Sequence, residues 1–70
     1  MKVIKTFNNE NKTADIMLND NIFSVVFYKD GASVGEIVYP NKSAVYVEDA
    51  AENWTIGVMT EETILRYIET

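Results

Sequence analysis

Through its first forty residues the chain alternates apolar and polar side chains, and after Pro40 the apolar spacing lengthens to that of a helix. Four runs carry the alternation. Residues 2–7 place Val3 and Phe7 on one face, and Ile4 and Thr6 on the other. Residues 12–18 set Ala14, Ile16 and Leu18 against Thr13, Asp15 and Met17, the pattern of a half-buried strand. In residues 22–28, Phe23, Val25 and Phe27 share one face, while Ile22, Val26 and Tyr28 share the other with Ser24. A strand apolar on both sides predicts a central place in its sheet, with something covering each face. Residues 33–39 return beside it, Val34 and Val38 flanking Glu36 on one side. Turn formers separate the runs: Asn8-Asn9-Glu10-Asn11, Asn19-Asp20-Asn21, and Lys29-Asp30-Gly31-Ala32, whose Asp-Gly pair supports a tight hairpin. Pro40 closes the last run because proline cannot donate to a ladder.

Beyond it, Val47, Ala50, Ala51 and Trp54 recur at the spacing of one helix face, with Glu48, Asp49, Glu52 and Asn53 opposite. Ser43 is the N-cap candidate and Gly57 the C-terminal stop. Residues 44–48 also read as a fifth strand, but the apolar period that continues through Trp54 favours the helix. Small alanines at the contact and one large aromatic anchor suit a helix lying close on a sheet. Thr60-Glu61-Glu62 opens a second, shorter helix, its glutamates placed where the helix dipole favours negative charge. Ile64, Leu65 and Ile68 form its apolar side, and a segment this short holds its shape only when docked. No internal repeat, low-complexity tract or linker is visible. The prediction is a single small domain, 1–70, of class α+β: an antiparallel three- to four-stranded meander followed by two helices packed on one face.

Size limits how such a domain gains stability. A chain of 70 residues buries about 60% of the surface its unfolded form exposes. With no cysteine and no histidine, disulfides and thiolate or imidazole metal sites are excluded. A well-packed core or a homodimer remains. The net charge of −5 is concentrated after residue 40, where Lys42 and Arg66 face six acidic residues. That balance disfavours nucleic acid and anionic membrane as ligands. Neither a signal peptide nor a membrane-length apolar stretch is present, which places the chain in the cytoplasm.

Nucleophilic catalysis by Ser/His/Asp or Cys/His cannot occur without His or Cys, and no phosphate-binding glycine motif is present. The expectation is therefore a non-enzymatic protein without a cofactor. Glu48, Asp49 and Glu52 could supply oxygen ligands to a hard cation, but a solvated acidic helix face explains them more simply. Trp54, in register with the buried stripe, is assigned to the core. Two short helices can cover one face of the sheet, so the second is left open unless a partner covers it. Ile22, Val26 and Tyr28, with Ile37 and Tyr39 from the neighbouring strand, are assigned to that second face.

The runs Phe27-Tyr28-Lys29-Asp30-Gly31 and Tyr39-Pro40-Asn41-Lys42-Ser43, followed by Val47-Glu48-Asp49-Ala50-Ala51-Glu52-Asn53-Trp54 and Gly57, resemble small uncharacterised proteins of T4-like cyanophages. In those proteins a strand–turn–strand precedes an E-D-A-A-E-N-W helix. The resemblance covers roughly residues 23–58. It carries no activity and no functional residue to transfer. What it implies is context: a phage-encoded accessory protein, made in the cytoplasm of a bacterial host, that binds a host or viral protein.

Two functions follow as expectations. The first is a protein-binding module that associates through a sheet face or edge with itself or a host protein. The second is an acidic mimic of nucleic acid, blocking a basic groove through Glu48, Asp49, Glu52, Glu61 and Glu62.

Overall fold

The computed structural model describes residues 2–69, with side chains described for residues 2–67. Four strands, β1 (Lys2–Asn9), β2 (Lys12–Asn19), β3 (Ile22–Lys29) and β4 (Ala32–Tyr39), are followed by helices α1 (Ala44–Thr55) and α2 (Glu61–Glu69). The strands form one antiparallel sheet in the order β1-β2-β3-β4, the α+β meander expected from the alternation. Although no residue motif repeats, the geometry does: each strand has eight residues and each hairpin two.

The turn residues explain the tightness of those hairpins. Asp20 and Asn21 have φ of 51° and 65°, and Asp30 and Gly31 have φ of 54° and 81°. Paired positive φ values match the right-handed twist of the strands they join, and Asp, Asn and Gly tolerate them best. In the first hairpin Glu10 takes φ 55°. The Asn11 side chain then donates to Asp30 Oδ1 at 3.1 Å, tying the first and third turns together at one end of the sheet.

Two irregularities reset the faces of the edge strands. A register shift between Val3 and Lys5 leaves Val3 opposite Met17, while Lys5 and Phe7 pair with Ile16 and Ala14. Val3 and Phe7, expected on one face, therefore separate. A second shift sets Gly35 opposite Phe27 and Ser33 opposite Tyr28, which turns Val34 toward the core. An extra residue on one strand is the signature of a bulge.

Helix α1 begins at Ser43, whose hydroxyl accepts from the Tyr46 N–H at 3.3 Å. It ends where Gly57 adopts φ 87° and its N–H donates to the Trp54 carbonyl at 3.3 Å. Asn9 of β1 adds a side-chain bond to the Thr55 carbonyl at 3.1 Å, satisfying a group the helix end would leave open. Helix α1 lies across β2 and β3 with β1 at its flank, and α2 lies on β4, so both helices cover one face.

The core between them contains Ala14, Ile16, Val25, Phe27, Ile37 and Tyr39 from the sheet, and Val47, Ala50, Ala51, Trp54 and Ile64 from the helices. Trp54 is fully buried and meets Phe27 edge to face, ring centroids 5.7 Å apart. Its Nε1 donates to the Tyr28 carbonyl at 3.1 Å, beside the β3–β4 bulge. Lys12 caps the indole from outside, its Nζ 4.6 Å from the ring centroid. Of the apolar side expected for α2, Ile64 is buried, Leu65 is about half exposed, and the Ile68 side chain lies outside the described residues. The radius of gyration, 11.0 Å, is the value a compact domain of this length takes, about 11 Å.

Candidate functional site

Cross-strand partners share a face, so the register decides which side chains the helices leave uncovered. One uncovered row runs Val3, Met17, Ser24, Val38; the next runs Thr6, Asp15, Val26, Glu36; a third runs Asn8, Thr13, Tyr28, Ser33. Ile22, two residues before Ser24 and paired with Asn19, adds an apolar side chain beside the first row at the end of β3. The rows differ in chemistry. Near β1 the polar residues bond one another: Thr6 Oγ1 donates to Asp15 Oδ1 at 2.8 Å, and Thr13 Oγ1 to Asn8 Oδ1 at 3.4 Å. The apolar end stays open, with Val38 56%, Val3 47% and Ile22 39% exposed. A shallow depression of ≈ 210 Å³ lies there, lined by Asn19, Asp20, Ile22, Ser24, Glu36 and Val38.

The residues assigned to this face divide. Ile22, Val26 and Tyr28 are on it. Ile37 and Tyr39 are not: both are 4% exposed and belong to the core beneath the helices. The reason is register, since Ile37 pairs with Val25 and Tyr39 with Phe23, both on the covered face. Met17 and Val38 take their place on the open side.

The acidic residues of α1 differ in their surroundings. Glu48 is half-buried and ion-paired with Lys5 at 3.6 Å, and Glu52 follows one turn later. Asp49 lies beside an aromatic cluster. In α2, Glu61 pairs with Lys29 at 3.7 Å and Glu62 with Arg66 at 2.7 Å. Among the described residues no group of three or more acidic side chains is arranged to hold a metal ion. No helix among them is long and apolar enough to cross a membrane.

That aromatic cluster is the feature sequence reasoning missed. Tyr39, at the end of β4, meets Tyr46 in the first turns of α1 with ring centroids 5.8 Å apart, and Tyr67 of α2 at 6.5 Å. Lys42 Nζ stands 4.8 Å from the Tyr46 ring centroid. Together with Asp49, Ala50, Asn53 and Met59, the three tyrosines line a hollow of ≈ 240 Å³. Burial, reinforced by Tyr67 and Tyr46, pushes the Tyr39 hydroxyl up to about 12. A hydrogen bond with Tyr46, and then the charge of that same neighbour, raises Tyr67 above its ordinary value. Tyr39 and Tyr67 are therefore neutral phenols at physiological pH. The signal available in the sequence was the placement of Tyr39 and Tyr46 on either side of the short Pro40–Ser43 connection, which folds one over the other.

Compared with known protein families, curated proteins and solved structures, the chain matches no family model, no curated protein and no solved structure.

Proposed function

We propose that this is a non-enzymatic protein-binding module whose contact surface is the open face of its sheet. The observation that carries the reading is the exposed apolar end of that face, formed by Val3, Ile22 and Val38, on a sheet whose other face the helices seal. A partner covering it would remove those side chains from water and gain about 25 cal/mol for each Å² of apolar surface buried. The polar pairs Thr6–Asp15 and Asn8–Thr13 would sit at the border, where hydrogen-bonding groups keep contact with solvent. The partner is a second copy of the chain or a host protein. The likeness to cyanophage proteins favours a bacterial host cytoplasm as the setting.

Charge mimicry is the weaker reading. Of the five carboxylates it would use, Glu48, Glu61 and Glu62 are already ion-paired within the chain.

The test compares the parent with the double variant Ile22→Lys/Val38→Lys, both positions being exposed enough to leave the fold intact. Sedimentation equilibrium reads self-association, and affinity capture from bacterial lysate reads other partners. The parent is expected to self-associate or to capture a protein that the double variant loses, with little change between about 0.05 and 0.5 M salt. Equal behaviour of parent and variant would refute the reading, and loss of binding at high salt would transfer it to the carboxylates.

A further inference from the structure

The tyrosine-lined hollow between β4, α1 and α2 has no part in the association described above, and its chemistry is different. We propose that it binds an alkylammonium group, presented as a lysine side chain, methylated or not, on a basic peptide segment.

Four observations converge on that ligand. Tyr39, Tyr46 and Tyr67 surround the space at inclined angles, 66° for the first pair and 57° for Tyr39 with Tyr67. The buried Tyr39 packs against both neighbours, Tyr46 and Tyr67 stay about half exposed, and electron-rich aromatic faces attract cations. Asp49 places a carboxylate in the lining, and among the described residues no lysine or arginine lines the hollow. The chain's own Lys42 already rests its ammonium over the Tyr46 ring at 4.8 Å, within the range of about 6 Å over which such contacts attract. Finally, ≈ 240 Å³ is smaller than the pockets that hold drug-sized ligands, about 300 Å³ and upward, and suits the head of one side chain. The net charge of −5 adds a general pull on a basic segment.

Neutral aromatic walls alone would also take an apolar side chain of similar shape, so the decisive comparison is between a charged and an uncharged head. Isotope-labelled protein would be titrated with three capped peptides that differ at one position: trimethyllysine, lysine or norleucine. The amide signals of Asp49, Ala50 and Asn53 should move and saturate with the trimethyllysine peptide, with the norleucine peptide at least about tenfold weaker. Asp49→Asn and Tyr46→Leu alter exposed side chains, so the spectrum elsewhere should keep its dispersion while affinity falls about tenfold. Ile22→Lys, on the sheet's open face, should leave the titration unchanged, which separates this site from the association surface. Norleucine binding as tightly as trimethyllysine, indifference to Asp49→Asn, or no shift with either cation at millimolar peptide would each overturn the proposal.

Discussion

Trp54, the largest of the fully buried side chains among the described residues, is held by three different interactions. Its ring is fully buried against Phe27, its N–H is bonded to the Tyr28 carbonyl, and its outer face is covered by Lys12. Truncation to alanine should cost about 3–5 kcal/mol, read by urea denaturation, because the cavity left under α1 cannot collapse onto a sheet already paired on both sides. Trp54→Phe keeps most of the packing but orphans the carbonyl, and should cost about 1–3 kcal/mol. A near-neutral Trp54→Ala would remove the indole from the core altogether. The buried place of this residue was legible in the sequence, because Val47, Ala50, Ala51 and Trp54 repeat at helical spacing and all four are buried. Its bond to the Tyr28 carbonyl was not legible, since a carbonyl freed beside a bulge has no residue type to announce it.

Strands and helices followed from local patterns with good fidelity, and the misassignments share one physical origin. Alternation in β2 and β3 runs unbroken, so Ala14, Ile16, Val25 and Phe27 fall on the core face as a period of two requires. In β1 and β4 one extra residue shifts that period, and every side chain beyond it changes sides relative to those before. Val3 parts from Phe7 in this way, and Val34 from Val38. Gly35, a lone glycine inside a strand pattern, was the available warning of the second bulge. Ile37 and Tyr39 are core residues because the bulge at Val34 shifts the pairing that the Asp30-Gly31 turn begins, setting Ile37 opposite Val25 and Tyr39 opposite Phe23. Gly31 takes φ 81°, and a Cβ there would meet open space, so Gly31→Ala tests backbone strain alone. Thermal or urea unfolding should report a loss of about 1–2 kcal/mol, and no loss would mean the turn is not held in the left-handed region.

At the scale of the whole molecule, eight-residue strands and two-residue turns produce one layer that two short helices can cover on one side. The uncovered side is where the proposed association takes place, and the sequence indicated its existence better than its membership. Apolar residues on both faces of residues 22–28 announced a second surface; the register then replaced Ile37 and Tyr39 with Met17 and Val38. The tyrosine hollow was beyond sequence reasoning for another reason: Tyr39, Tyr46 and Tyr67 come from three elements and meet through tertiary packing. The difference between a sealed and an open sheet face is what the functional account depends on. Paramagnetic relaxation of side-chain methyl signals by a soluble, uncharged gadolinium chelate measures it directly. In dilute protein, Val38, Val3 and Ile22 should relax strongly while Val25, Ile37 and Val47 remain protected, and adding the partner or concentrating a self-associating chain should protect Val38 and Ile22. Strong relaxation of Ile37, or Val38 and Ile22 staying accessible in the complex, would contradict the account.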